Sequence, residues 1–126
     1  MRIEKSEFTS DFGSDVVIVE NMAEHVAILE ILGGYAIGCA DLDMSQDYID
    51  NVYKTQRLVS ELISSASRRA LESGDVDADS IPLSYVGLDA LLIRTAVETF
   101  QRNPFYAEFG MDPFDAERAR AIFPEL

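Results

Sequence analysis

Apolar residues recur at helical intervals along most of the chain from residue 21 onward. At the start of the first such stretch, Asn21 and Glu24 have the N-cap and N3 spacing of a capping box. The apolar positions that follow are three or four residues apart, which is the period of one helix face: Met22, Val26, Leu29, Leu32, Ala36 and Ala40. The pattern predicts a helix over 22–40.

Two adjacent glycines, Gly33 and Gly34, lie within this first helix and leave two interpretations open. Each glycine costs about 1 kcal/mol in a helix interior, so the pair would end the helix after Leu32. Alternatively, Gly34 and Gly38 are one turn apart and allow a second helix to approach closely, as small residues do between membrane helices. We favour close packing inside the fold, and a homodimer contact is the other use of this pair.

A second helix is predicted over 45–73. Asp43 or Ser45 provides its N-cap, and Gly74 is the C-terminal stop that is typical of a Schellman-type end. Its apolar residues form a single stripe: Ile49, Val52, Val59, Leu62, Ala66 and Ala70.

A third helix is predicted over 85–102. Ser84 is its expected N-cap, and Leu83 and Leu88 have the positions of a hydrophobic staple. The apolar residues lie on more than one side, which indicates a central, largely enclosed helix: Leu88, Leu91, Leu92, Ala96, Val97 and Phe100.

The last predicted helix covers 113–122, with Pro113 at its first position and Asp115 in its first turn. Phe123 and Pro124 end it. The C-terminal region is also the aromatic-rich part of the chain, through Phe105, Tyr106, Phe109 and Phe114.

The first twenty residues fit two structures about equally well. Val16 to Val19 are β-branched and follow a turn-forming stretch, so 2–8 and 16–20 would pair as a hairpin. Alternatively, a helix is capped at Ser14 and runs on into the first helix.

Together these elements predict a mainly α fold, a small bundle of about four helices, with the short N-terminal β-hairpin as an open alternative. The chain has 126 residues, of which 48% are hydrophobic. A chain of this length and composition can bury a hydrophobic core, which predicts a single domain over 1–126. In this domain 1–20 are strand or helix and 21–126 are helical.

Net charge restricts the possible functions more than any other feature of the composition. The chain has 23 Asp and Glu against 10 Lys and Arg, a net charge of −13. Direct partners made of nucleic acid or anionic membrane are disfavoured, because both are bound through Lys and Arg. A net charge of about 2–8 in magnitude already keeps a small domain soluble. The excess therefore favours a functional acidic surface.

The chain carries no pattern of an exported or membrane-spanning protein. Its start has no apolar stretch behind basic residues, so we expect no secretory signal and a cytoplasmic location. The apolar region 16–40 is interrupted by Glu20, Glu24 and Glu30, which indicates a buried helix rather than a membrane span.

The Asp75-x-Asp77-x-Asp79 run resembles the opening of an EF-hand calcium loop. Such a loop needs glycine at its sixth position and glutamate at its twelfth, where this chain has Ser80 and Val86. The run therefore predicts an acidic surface loop, and we expect no bound metal.

Catalytic chemistry has few candidate residues. His25 is the only histidine, and its helical neighbours Asn21 and Leu29 are not nucleophiles, so we expect a structural histidine, half-buried or exposed. Cys39 lies in an apolar stretch, where cysteine acts as a small hydrophobic residue. The sequence predicts no catalytic residues, no cofactor and no enzymatic activity.

Basic residues are absent from two long stretches, 6–53 and 70–93. Within the first stretch, Asp43, Asp47 and Asp50 have the i, i+4, i+7 spacing of one face of the second helix. Helix neighbours at this spacing lie about 5–6 Å apart at Cβ, on the scale of successive backbone phosphates. The predicted acidic face consists of Asp41, Asp43, Asp47 and Asp50, extended by Asp75, Asp77 and Asp79.

In size and charge alone, the chain resembles small acidic proteins that phages encode against CRISPR or restriction systems. It is similar in the same way to bacterial immunity proteins that neutralise nucleases. The resemblance implies a stoichiometric inhibitor that mimics nucleic acid and covers a basic nucleic-acid-binding surface of another protein or nuclease complex. If phage-encoded, it would act in the cytoplasm of a bacterial host.

A helical adaptor or self-assembling structural protein is the alternative function. Aromatic residues are enriched at the cores of protein interfaces. The interface would then consist of Phe105, Tyr106, Phe109 and Phe114.

Overall fold

The helices and strands are arranged as a mainly helical fold with a small N-terminal sheet, which confirms the expected fold class. A computed structural model describes residues 1–10, 12–74, 81–103 and 110–126. In these ranges the helices are α1 (Met22–Asp41), α2 (Gln46–Glu72), α3 (Gly87–Arg102) and α4 (Pro113–Ile122). The strands are β1 (Arg2–Ser10), β2 (Gly13–Val19) and β3 (Leu83–Tyr85).

The N-terminal residues form the hairpin and not the alternative helix. β1 and β2 pair antiparallel, with Arg2 opposite Ile18 and Lys5 opposite Asp15. Gly13, with φ at +100°, begins β2 in a backbone region that glycine adopts readily. The β-branched run then follows in the extended conformation that such side chains favour.

The third strand, β3, was not expected, and the prediction of a wholly helical 21–126 region is wrong there. Its three residues add to the free edge of β2, with Tyr85 opposite Val17 and Leu83 opposite Val19. The predicted cap Ser84 is therefore extended and lies in a strand, and Leu83 pairs with β2 before the helix begins. Long-range pairing of this kind leaves no local pattern in so short a segment.

Helix α3 consequently begins at Gly87 rather than at residue 85. Its N-cap is Val86, whose side chain makes no capping hydrogen bond, and Gly87 has φ at +60°. Only one face of α3 is buried, because Leu92 is 1% exposed whereas its neighbour Leu91 is 42% exposed. The expectation of a largely enclosed third helix is wrong.

Helix α1 is the central helix instead. It contacts α2, α3 and α4, and its buried residues cover the larger part of its circumference, with Ile37 on the remaining face. By length and composition alone α1 could cross a membrane, but 61% of its most apolar window is buried inside the fold. Buried residues from β2, β3 and all four helices form one hydrophobic cluster.

The helix ends follow the local signals closely. Asn21 accepts a hydrogen bond from the Glu24 amide at 2.9 Å, and the Glu24 carboxylate accepts one from the Glu20 amide at 3.2 Å. Ser45, not Asp43, caps α2 by accepting from the Tyr48 amide at 3.3 Å. The bounds of α4 are those predicted. At the other end of α2, the chain reverses at Gly74, with φ at +70°.

The adjacent glycines of α1, Gly33 and Gly34, serve packing and do not end the helix. A Cβ atom on Gly110 would lie 2.5 Å from the carbonyl oxygen of Gly34, so the two backbones touch within one chain. Gly33 lies beneath Gln56, whose Nε2 donates to the Leu29 carbonyl at 3.0 Å. The glycine pair therefore brings both α2 and the segment before α4 close to α1.

Candidate functional site

Four aspartates of the predicted acidic face surround the connection between α1 and α2, and we call this group the acidic corner: Asp41, Asp43, Asp47 and Asp50. Asp41 is the last residue of α1, Asp43 lies between the helices, and Asp47 and Asp50 belong to the first turns of α2. All four are exposed, as is every residue from 40 to 47. The structure thus places these four carboxylates together at one end of the helix pair.

The predicted row along one helix face is wrong for Asp43. This residue precedes the cap of α2 and has a left-handed backbone with φ at +55°. The Asp43 amide bonds the Ala40 carbonyl at 3.2 Å, and the Met44 amide bonds the Cys39 carbonyl at 3.1 Å. These bonds are those of a Schellman motif, with aspartate in the position where glycine is usual.

The corner carboxylates form no ion pair with a described basic residue. The carboxylates that form ion pairs within the described residues are Glu4, Asp15, Glu20, Glu24, Glu30, Glu98 and Asp115. All ten Lys and Arg residues lie in the described ranges, and none of these ion pairs reaches the corner. Within the described residues, Asp50 accepts one neutral hydrogen bond, from Gln46 at 2.9 Å. The charge of the corner is therefore not neutralised within the fold.

Apolar side chains are interspersed with these charges. Leu42 is 60% exposed and Met44 is 41% exposed, both between the two helices. One turn further from the corner, Ile37 on α1 and Tyr53 on α2 are 45% and 40% exposed. The surface around the corner is therefore acidic and apolar together.

A groove of about 520 Å³ runs between α1 and α2 beside the corner, and we call it the α1–α2 groove. Its lining residues are Leu29, Glu30, Tyr53, Gln56, Arg57 and Ser60. It continues towards α4 as a space of about 230 Å³, which Ile37, Met111, Asp112 and Asp115 also line. This groove was not predicted from the sequence. Tyr53, a large side chain off the apolar stripe of α2, was the one signal that pointed to it.

Glu30, which lines this groove, is bonded through one of its two carboxylate oxygens. Arg118 of α4 donates to its Oε1 at 2.5 Å and to Asp115 at 2.9 Å. The other oxygen, Oε2, is buried and has no hydrogen-bond partner in the described part of the chain. Burial raises the pKa of Glu30, Asp115 raises it further, and Arg118 opposes both.

The remaining predicted site residues are only partly placed. Asp75, Asp77 and Asp79 lie outside the described residues, and so do Phe105, Tyr106 and Phe109. Phe114, in the first turn of α4, is 81% exposed. The structure thus brings together four of the seven predicted acidic residues and describes one of the four aromatic ones.

His25 is fully buried, so the expectation of a half-buried or exposed side chain is wrong. Its Nε2 lies 2.5 Å from the Ile81 carbonyl oxygen, which ties α1 to the segment before β3. Its Nδ1 is buried without a partner among the described residues. Burial lowers the pKa of His25, and the bond to Ile81 opposes this in part. Cys39 is buried in the core, as expected for a small hydrophobic residue.

We expect the buried His25 to make the fold less stable in mild acid. Its folded pKa lies below the ordinary value of 6.5. Below pH 6.5 the unfolded chain therefore binds a proton at His25 more readily than the folded chain does. The stability that the fold has above this pH is lost progressively as the pH falls. The loss is at most about 1.4 kcal/mol per pH unit. Urea unfolding at about pH 7.5 and about pH 5.5 measures it.

The variant His25→Gln is the control for this prediction. Glutamine offers an amide nitrogen near the position of Nε2 but does not titrate. Its stability should change less between the two pH values than that of the parent. Equal losses in the two proteins would contradict the assignment to His25.

No known protein family, curated protein or solved structure matches this chain. Within the described ranges, no three His, Cys, Asp or Glu side chains are grouped closely enough to hold a metal ion. The expected absence of metal, cofactor and enzymatic activity stays a prediction.

Proposed function

We propose that this protein is a stoichiometric inhibitor that covers a basic, nucleic-acid-binding surface of another protein with its acidic corner. The observation that supports this most is the set of exposed carboxylates at Asp41, Asp43, Asp47 and Asp50. None of them takes part in the ion pairs of the described residues. No basic residue occurs between 6 and 53, and Lys54, one helical turn beyond Asp50, takes part in none of these ion pairs.

The physical reason is that free carboxylates are available for a partner, whereas paired ones are not. A single exposed ion pair is worth only about 0–1 kcal/mol. Bidentate arginine–carboxylate pairs in an interface are stronger, and several acting together add substantially. A net charge of −13 also steers a basic partner towards the protein and accelerates association.

The class of partner follows from the same electrostatics. Proteins that bind nucleic acid carry clustered Lys and Arg for phosphate contacts. An acidic corner that occupies those side chains excludes the nucleic acid without any catalytic step. An inhibitor of CRISPR or restriction complexes and an immunity protein against a nuclease are two forms of this function, and both act in the bacterial cytoplasm.

Replacing Asp43, Asp47 and Asp50 together with asparagine should weaken binding to the basic partner about tenfold or more, equivalent to about 1.4 kcal/mol. Asparagine keeps the shape of each side chain and tolerates the left-handed backbone at position 43. The partner is first identified by co-purification with the proteins of the native cell. Affinity is then measured at about 0.01 M and about 0.15 M ionic strength, and the loss should be greatest at low salt.

A matched control removes three charges elsewhere. Glu61, Glu72 and Glu117 are exposed and lie away from the corner, and none of them forms an ion pair with another described residue. Their combined change to glutamine should leave affinity within about twofold, equivalent to about 0.4 kcal/mol. Equal effects of the two triple variants would show that only net charge matters. A partner that does not bind nucleic acid would also contradict the proposal.

The alternative, an adaptor or self-assembling protein, is favoured by one observation. Phe114 is 81% exposed on α4, the largest exposed fraction of any large hydrophobic residue in the described ranges. Binding through this region should change little with ionic strength. Loss of binding in Phe114→Ser, with full binding by the aspartate triple variant, would replace the first proposal with this one.

A further inference from the structure

The α1–α2 groove is a second feature of the same surface, distinct from the acidic corner. Its walls are apolar and exposed where it approaches α4: Tyr53 is 40% exposed and Ile37 is 45% exposed. Met111 also lines this end. Walls of this kind accommodate the aliphatic stem of a long side chain and the flat face of a delocalised cation.

The charge of the groove is uneven along its length. Towards α4 the lining includes the carboxylates of Glu30, Asp112 and Asp115 and no basic residue. Arg118 satisfies one oxygen of Glu30 and one of Asp115 but leaves Glu30 Oε2 without a partner among the described residues. At the other end, the lining includes Arg57. Arg118 already pairs with Glu30 and Asp115. Asp112, in contrast, is exposed and takes part in none of the ion pairs of the described residues, so a cation from a partner is favoured at the α4 end.

The groove is continuous with the acidic corner. Ile37 and Asp41 are four residues apart on α1, and Asp50 and Tyr53 are three apart on α2. At these spacings both pairs share a helix face. Tyr53 and Ile37 line the groove, so Asp41 and Asp50 lie one turn from its α4 end. A partner on the corner thus has the groove within reach.

We propose that the α4 end of the α1–α2 groove receives an arginine side chain that projects from the basic partner. This inference rests on the proposed function and names the contact that makes recognition specific. Arginine fits better than lysine, because its planar guanidinium stacks on the Tyr53 ring and donates two parallel hydrogen bonds to one carboxylate, that of Asp112. Lysine is a compact and strongly hydrated charge that gains little from the apolar walls.

Three synthetic peptides test this without knowledge of the partner. They share one sequence of alternating serine and a second residue, which is arginine, lysine or the neutral citrulline. Affinity for the protein is measured by calorimetric titration at about 0.01 M ionic strength. The arginine peptide should bind about fivefold more tightly than the lysine peptide, a difference of about 1 kcal/mol in binding free energy. The citrulline peptide, which has no charge, should bind least.

Variants of the chain assign this preference to the groove. Tyr53→Ser should remove the difference between the arginine and lysine peptides, and Tyr53→Phe, which keeps the aromatic face, should retain it. Leu71→Ser is the matched control, because Leu71 is 79% exposed on α2 and does not line the groove. Circular dichroism verifies that each variant is folded.

The outcomes separate this inference from the proposed function. Equal binding of arginine and lysine peptides, or an unchanged preference in Tyr53→Ser, overturns the arginine site. If the Asp43, Asp47 and Asp50 triple variant nevertheless loses affinity for both peptides, the result supports the acidic corner without the arginine site. If Tyr53→Ser removes the preference for arginine over lysine while the triple variant binds like the parent, the result supports the arginine site and contradicts the role of the acidic corner.

Discussion

Replacing Leu92 with alanine is expected to lower the free energy of unfolding by about 2–5 kcal/mol. Leu92 is 1% exposed and belongs to the single hydrophobic cluster of the fold. Truncation removes buried methyl groups and leaves a cavity that the packed surroundings fill only in part. Urea unfolding followed by circular dichroism measures the change.

Leu91 provides the control, since it is the same residue type one position earlier on α3. It is 42% exposed, and its change to alanine should cost only about 0.5 kcal/mol. A larger loss at Leu91 than at Leu92 would mean that α3 presents the opposite face to the core.

Replacing Gly110 with alanine is expected to lower stability by about 1–3 kcal/mol, which is typical of overpacking. A Cβ atom at this position would lie 2.5 Å from the carbonyl oxygen and 2.8 Å from the Cα atom of Gly34. Both are backbone atoms of the central helix α1, so neither moves aside without disturbing the core. The same unfolding measurement reports the loss.

Gly33→Ala is the matched comparison, because its new Cβ would meet only the end of a flexible side chain, Gln56, at 2.9 Å. The variant gains about 1 kcal/mol of helix propensity and weakens one hydrogen bond of similar worth. Its stability should stay close to that of the parent. A loss at Gly33 as large as at Gly110 would show that the close backbone contact is not the sensitive feature.

Local signals predicted the helix ends that carry their own capping chemistry, whereas the start of α3 has no side-chain cap and was predicted two residues too early. Asn21, Ser45 and Asp112 satisfy free backbone amides with their own side chains, and Gly74 adopts the left-handed turn that ends α2. These interactions extend over a few residues only. A sequence pattern therefore contains all that is needed to locate them.

The third strand and the burial of α3 could not be predicted in this way. β3 exists because β2 offers a free edge more than sixty residues earlier in the chain, as in the pairing of Val17 with Tyr85. α3 is one-sided because α1, and not α3, occupies the centre. Both depend on which elements meet, and no short pattern records that.

The candidate site, too, was predictable from the local sequence in part and from the fold in part. The sequence alone shows that residues 6–53 are acidic and contain no Lys or Arg, and that aspartates cluster around the turn between the first two long helices. The fold is needed to show that Asp43 lies in a left-handed turn, that the corner carboxylates have no partner in the described ion pairs, and that Tyr53 lines a groove. Composition and capping are properties of neighbouring residues, whereas exposure and pairing depend on distances between residues far apart in the chain.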